Sequence, residues 1–209
     1  MPDPQIVLYH GRRSRSVRVR WMLEEMGLGY RLERVDFTHG NVGGEAYKAV
    51  NPLQKVPALE VDGAVMLESL AMLEFLGRRF GPTDLVVEPD EPDFARYLEW
   101  LHYGEASLSM AVNLGLAHSA LLPEDKRNPA LFGWARSELS RHLDHIAVRG
   151  LADGCEWLAA GRFTAADMSL GYMLFLMKLM RLLDAAPSEI QAYWERLIER
   201  EAWKRASAD

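Results

Sequence analysis

Hydrophobic and polar positions change period repeatedly along the first eighty residues. The apolar run "QIVLY" at residues 5–9 reads as a short strand, and from Val17 to Gly27 apolar residues recur at helical spacing before Gly27 and Gly29 close the helix. "YRLERVDF" alternates as a second strand should, and "EAYKAV" suits a short helix. "VPALEVDGAVML" then splits into two short strands around Asp62-Gly63, a dipeptide favoured in tight hairpins. A helix from Glu68 to Phe80 completes the order βαβαββα, which ends near Gly81-Pro82.

The segment that follows carries Pro82, Pro89 and Pro92 with few helix formers, and so reads as a linker. Beyond it the pattern is helical throughout. "FARYLEWLHYGEASLSMAVNLGL", "ALFGWARSELSRHLDHIAVRGL", "AADMSLGYMLFLMKLMRLL" and "SEIQAYWERLIERE" each carry an apolar face, with Pro or Gly in the connections. The expected organisation is an α/β domain over 1–81, a linker over 82–90 and an all-helical domain over 91–209.

Composition narrows the function classes. With 49% hydrophobic and 26% charged residues, the chain has the profile of an ordinary globular protein. A net charge of −6 gives no footprint for general nucleic-acid binding, which rests on cations neutralising phosphates. Cys155, the single cysteine, excludes an internal disulfide, a thiolate metal cluster and a CxxC dithiol site. No metal is expected. The longest apolar candidate, "MSLGYMLFLMKLM", is broken by Lys178 and too short to span a bilayer, and the N-terminus has no secretory pattern, so a cytoplasmic location is expected.

Against that acidic background, "HGRRSRSVRVRW" at residues 10–21 places five arginines around a helix start. Cations there oppose the helix macrodipole unless an anion binds nearby. Arg12, Arg13, Arg18 and Arg20 are expected to form mostly a solvated face, partly paired with Glu24 and Glu25. Arg15, adjoining Ser14, is the best placed for a ligand.

Three separated motifs resemble the glutathione transferase superfamily: "LYHGRRSRSVRVRWMLEEMGL", "NPLQKVPALEVDGAVMLES" and "RFTAADMSLGYML". The resemblance implies a thioredoxin-like N-terminal domain that holds glutathione. It also implies a helical C-terminal domain that supplies the apolar half of the site, and a homodimer. The task of such a site is to hold a thiol, with a pKa near 8.5, as the nucleophilic thiolate. By resemblance the hydroxyl is Ser14, with Ser16 and Tyr9 as alternates, although Ser14 also suits a plain helix cap. Pro57 is expected to be cis, with the backbone of Val56 presented to the cysteinyl residue of glutathione as an added strand. Glu68 and Ser69, at a helix start, suit the ammonium and carboxylate of the γ-glutamyl end. Lys55, Gln54 and His39 are candidates for the glycyl carboxylate.

Thr164 and Asp167 have capping-box spacing, a folding signal rather than a catalytic acid. In "EWLHYGEASL", Glu105, His102 and Tyr103 invite a functional reading; a lone histidine on a helix more often packs, and Glu105 is a minor candidate for the cleft or the partner subunit's glutathione. Met110 and Leu114 are candidates for the second-substrate pocket. The implied reaction is attack of glutathione thiolate on a hydrophobic electrophile. A glutathione-dependent disulfide reductase or peroxidase is the first alternative, and a non-catalytic binding or regulatory protein the second.

Overall fold

The computed structural model describes residues 4–36 and 42–208. The chain divides into two compact units, Met1–Val86 with Arg200–Asp209, and Val87–Glu199.

In the first unit, strands β1 (Ile6–His10), β2 (Arg31–Arg34), β3 (Ala58–Val61) and β4 (Ala64–Met66) form one sheet in the order β2-β1-β3-β4. β1 pairs parallel to β2 and antiparallel to β3, and β3 pairs antiparallel to β4. The parallel pair demands a crossover, which helix α1 (Ser16–Met26) provides, and Gly27 ends α1 in the left-handed region at φ 62°. Asp62 and Gly63 both take positive φ, 49° and 85°, as the β3–β4 hairpin requires. Helix α2 (Gly44–Lys48) places Tyr47 in an apolar cluster with Tyr9, Val35, Val56 and Ala58. Helices α1 and α3 (Ser69–Arg79) pack together, burying Val17, Trp21, Met22, Leu73 and Leu76.

The second unit is helical: α4 (Phe94–Ala106), α5 (Ser109–Leu116), α6 (Pro129–His145), α7 (Ala165–Leu179) and α8 (Ser188–Glu199). α7 lies at its centre, with every residue from Ala165 to Leu174 buried. It closely abuts α4, where a Cβ on Gly104 would stand 2.5 Å from Ser169 Oγ. The capping box forms as its spacing predicts: Thr164 N–H donates to Asp167 Oδ2 at 2.8 Å and the Thr164 side chain receives the Asp167 N–H. Asp167 is fully buried and also accepts from Leu158 N–H and Tyr193 Oη, which suits a structural anchor.

Two boundaries differ from the sequence reading. The long helix expected across residues 94–116 breaks at Ser107-Leu108 into α4 and α5. The last helix ends at Glu199, Arg200 is extended, and α9 (Glu201–Ser207) packs on α1 of the first unit instead of extending the helical unit. The reason is aromatic and electrostatic: Trp203 packs edge-on against Trp21 at 4.7 Å, and Arg200 grips Glu25 with two bonds of 2.6 and 2.8 Å.

Candidate functional site

The register Tyr9↔Ala58 sets the carboxyl end of β1 beside the amino end of β3, so the Gly11–Arg15 turn and the segment around Pro57 share one end of the sheet. α1 begins there, and α3 is tied to it through Arg18 Nη1, which donates to Ser69 Oγ at 3.3 Å. Neither α1 nor α3 carries a side-chain cap or an acidic residue in its first turn. The positive ends of both helix dipoles lie at this end of the sheet, although the Ser16, Val17 and Arg18 N–H groups of α1 are already taken by Ser14 Oγ, Ser14 O and Arg15 O.

In the turn, Ser14 is half-buried and Ser16 fully buried. Ser14 Oγ bonds Gly11 O at 2.7 Å and Ser16 Oγ at 2.6 Å, and accepts the Ser16 N–H at 3.3 Å. Arg15 occupies the N-cap position, and Ser14 just before it also takes up the first N–H groups of α1, Ser16 N–H on Oγ and Val17 N–H on its carbonyl. Ser16 Oγ in turn reaches His10 Nδ1 at 2.8 Å and receives the Gly11 N–H at 3.1 Å.

Tyr9 points elsewhere. Side chains alternate across a strand, so Tyr9 joins the α2 cluster and its hydroxyl donates to Glu60 Oε2 at 3.1 Å, back along β3 and away from the turn. Burial and the Glu60 carboxylate both raise its pKa. Of the three hydroxyls considered from sequence, Ser14 is the half-buried one on the turn.

The Val56-Pro57 peptide bond is cis, and Val56 and Pro57 are buried. The preceding loop is held by Tyr47 Oη and Asn51 Nδ2, which both donate to Lys55 O at 2.7 Å. Burial pushes the Tyr47 phenol up to about 12, so it stays a donor at neutral pH. The Lys55 side chain is exposed. Gln54, expected to face a ligand carboxylate, instead directs its amide nitrogen to the carbonyls of Val42 and Gly44 at 3.0 and 3.3 Å and serves the loop. Glu68 is exposed and holds φ 73°, a left-handed conformation that costs a non-glycine residue about 1–3 kcal/mol. Ser69, 5% exposed, opens α3 directly after it. His39 lies outside the described residues.

Arg18 departs from the solvated-face expectation: it is fully buried, a cation directly behind the α3 N-terminus. Arg20 is held by Tyr30 Oη at 3.2 Å, while Glu24 and Glu25 pair with Arg205 and Arg200 from the far end of the chain. The residues missed from sequence are His10, Arg18, Tyr47 and Asn51. His10 was recoverable, because period-2 alternation from Ile6 and Leu8 places it on the buried face.

In the helical unit, Tyr103 is half-buried and its hydroxyl meets His142 Nδ1 at 2.5 Å. His102 is exposed and Glu105 half-buried. Met110 is 63% exposed and Leu114 half-buried, so neither belongs to the core.

A turn with a half-buried hydroxyl, the starts of two helices and a buried guanidinium thus lie at one end of the sheet of a βαβαββα unit. The family model for the glutathione S-transferase N-terminal domain matches residues 4–78. Over 180 residues the chain is 33% identical to glutathione S-transferase 3 of Schizosaccharomyces pombe, covering 81% of this chain and 73% of that protein. It is 29% identical over 175 residues to a maleylacetoacetate isomerase of Rhizobium meliloti, covering 79% and 78%. The crystal structure of a glutathione transferase from Methylococcus capsulatus superposes with a TM-score of 0.82 at 30% identity, covering 97% of each chain. The chain belongs to the glutathione S-transferase family, and its enzymatic class is glutathione transferase. The α/β unit is accordingly thioredoxin-like.

Proposed function

We propose that this transferase holds glutathione as its thiolate at Ser14 and directs it against an electrophilic carbon of a hydrophobic compound. The observation that carries the reading is the Ser14 hydroxyl, half-buried at the start of α1 and backed by Ser16. On meeting a thiol sulfur, that hydroxyl turns from Gly11 O and donates to the anion, while the α1 dipole adds partial positive charge. Each pKa unit by which the thiol is lowered corresponds to about 1.4 kcal/mol of thiolate stabilisation. The thiolate forms a carbon–sulfur bond as the leaving group departs with its electron pair, or as a conjugated acceptor takes up the charge. No covalent bond to the protein is involved, and the rate gain comes from the lowered thiol pKa and from holding both reactants together.

The rest of glutathione is assigned to neighbouring groups. The Val56 backbone pairs with the cysteinyl residue. Ser69 and the N–H groups of α3 take the γ-glutamyl carboxylate, with Glu68 on its ammonium and Lys55 or Arg15 near the remaining carboxylate. Arg18 fixes Ser69 from behind. The working form is expected to be a homodimer in the cytoplasm.

The test is calorimetric titration with glutathione beside a Ser14→Ala variant, with rates on a model aryl halide, a model disulfide and a hydroperoxide. Wild type should bind and conjugate the aryl halide, and the variant should bind but lose most of kcat. Turnover confined to the disulfide or peroxide would replace the conjugation reading, and failure to bind glutathione would end it.

A further inference from the structure

We propose that His10 is the proton acceptor for the glutathione thiol, reached through Ser16 and Ser14. The proposal rests on the reading that Ser14 meets the sulfur. It assigns a role to a buried ring that the reading itself does not use.

His10 ends β1 on the same face as Ile6 and Leu8, and at 2% exposure it occupies a position where an aliphatic side chain would serve packing better. A buried imidazole requires partners for its nitrogens. Nδ1 has one in Ser16 Oγ at 2.8 Å, and Ser16 Oγ lies 2.6 Å from Ser14 Oγ, so three polar groups form one unbroken chain from the protein interior to the turn. The chain has a preferred sense. Gly11 O receives the Ser14 N–H at 3.2 Å and the Ser14 hydroxyl at 2.7 Å, and lies 3.1 Å from Ser16 Oγ, farther than His10 Nδ1 does. The Gly11 N–H donates to Ser16 Oγ, and with the His10 ring in the tautomer protonated on Nε2 the Ser16 proton points at Nδ1. With Ser16 donating to His10, the Ser14 hydroxyl can turn from Gly11 O to donate to Ser16 and offer a lone pair outward to an arriving thiol.

The proton balance closes without any further reactant. Before transfer the order is S–H to Ser14 O–H, to Ser16 O–H, to His10 Nδ1. Each proton then moves one place: the thiol proton to Ser14 Oγ, the Ser14 proton to Ser16 Oγ, the Ser16 proton to His10 Nδ1. The result is a thiolate that receives a hydrogen bond from Ser14 and an imidazolium buried behind two hydroxyls. Both serines regain their original protonation, and the chain's polarity is reversed so that every donor points at the sulfur.

A thiol is ordinarily a weaker acid than imidazolium by about two pKa units. The attraction between the new anion and cation, the Ser14 bond and the α1 N-terminus all act to close that gap. Charged residues on the surrounding elements are Arg12, Arg13 and Arg15 of the turn, Arg18, Arg20, Glu24 and Glu25 of α1, Arg31, Glu33 and Arg34 of β2, the last opposite His10, Glu60 of β3, and Glu68 ahead of α3. Arg13 and Arg15, which flank Ser14 in the chain, favour the thiolate. An internal transfer leaves the net charge of the site unchanged.

The discriminating experiment counts protons. Glutathione is titrated calorimetrically into the full-length protein at neutral pH, in buffers of different ionisation enthalpy, while ultraviolet absorbance records thiolate. The set is wild type, Ser14→Ala, Ser16→Ala, Ser16→Thr and His10→Asn, the last keeping a hydrogen-bonding atom near the Nδ1 position. Wild type should form thiolate with little proton release, because the proton stays on His10. His10→Asn and Ser16→Ala should release a proton for each thiolate formed or lose the thiolate. They should also lose about a hundredfold in kcat at neutral pH, with KM for glutathione little changed. Ser16→Thr, which keeps the hydroxyl, should restore both properties, and the Ser16 pair decides the matter if His10→Asn does not fold. Release of one proton per thiolate by wild type, or unchanged kcat in Ser16→Ala, overturns the relay while leaving Ser14 as the sulfur contact. A Ser14→Ala variant with wild-type thiolate and rate shows instead that the underlying reading has failed.

Discussion

Asp167 ties stability to pH with a sign opposite to that of the surface carboxylates. Its carboxyl is fully buried and accepts from Thr164 N–H at 2.8 Å, Thr164 Oγ1 at 3.2 Å, Leu158 N–H at 3.1 Å and Tyr193 Oη at 2.7 Å. Burial outweighs these donors and raises its pKa from 3.8 to about 6. Because the folded pKa is the higher one, the folded state holds the proton more tightly. The contribution to stability is therefore full below the unfolded pKa and is lost as pH rises through about 6. A gap of roughly two units corresponds to about 3 kcal/mol.

Asp167→Asn makes the carboxyl permanently neutral. At about pH 4, where the wild-type group is protonated in the fold, the variant should be weaker by about 1–3 kcal/mol, since its NH2 group faces a buried donor that then goes unsatisfied. At about pH 7.5 wild type carries the buried charge and the variant does not, so the deficit should shrink by up to about 3 kcal/mol and vanish or reverse. Urea unfolding followed by tryptophan fluorescence reads the helical unit, where Trp157 packs against Tyr193 at 6.3 Å. Taking the difference between variant and wild type at each pH removes the contributions of Glu91, Glu99 and Asp184, whose pKa values are lowered by Arg162, Arg149 and Lys178. A deficit that stays constant or grows with pH would refute the account of Asp167 as a carboxylate ionised against its burial.

Two further outcomes are expected. Arg18→Met should raise KM for glutathione about tenfold with kcat within about twofold, because Ser69 loses its donor and the α3 N-terminus its buried cation; steady-state kinetics at varied glutathione check it. Gly104→Ala should destabilise the helical unit by about 1–3 kcal/mol, because the new Cβ would stand 2.8 Å from Ser169 O, a backbone atom that yields only if α4 and α7 separate; urea midpoints at constant m measure it.

Much of the α/β unit was legible locally. Strand and helix periods, Gly27 at the helix end and Asp62-Gly63 at the hairpin each act within a few residues, and the structure has all of them. The Thr164–Asp167 box was readable for the same reason. Where the last helix packs was not. Arg200 and Arg205 look like solvated charges in sequence, yet their partners Glu25 and Glu24 stand 175 and 181 residues earlier.

The sequence by itself determined which elements form, which residue types stand at the head of α1 and α3, and that Pro57 precedes β3. These follow from propensity, side-chain period and caps, all short-range effects. Only the tertiary structure decided what each polar group does. It turned Tyr9 to Glu60, Gln54 to its own loop, Arg18 inward beneath Ser69, and His10 onto Ser16. The physical reason is burial: whether a charge or hydroxyl is solvated or must find a partner depends on what the rest of the chain places over it, and that is a non-local property of the fold.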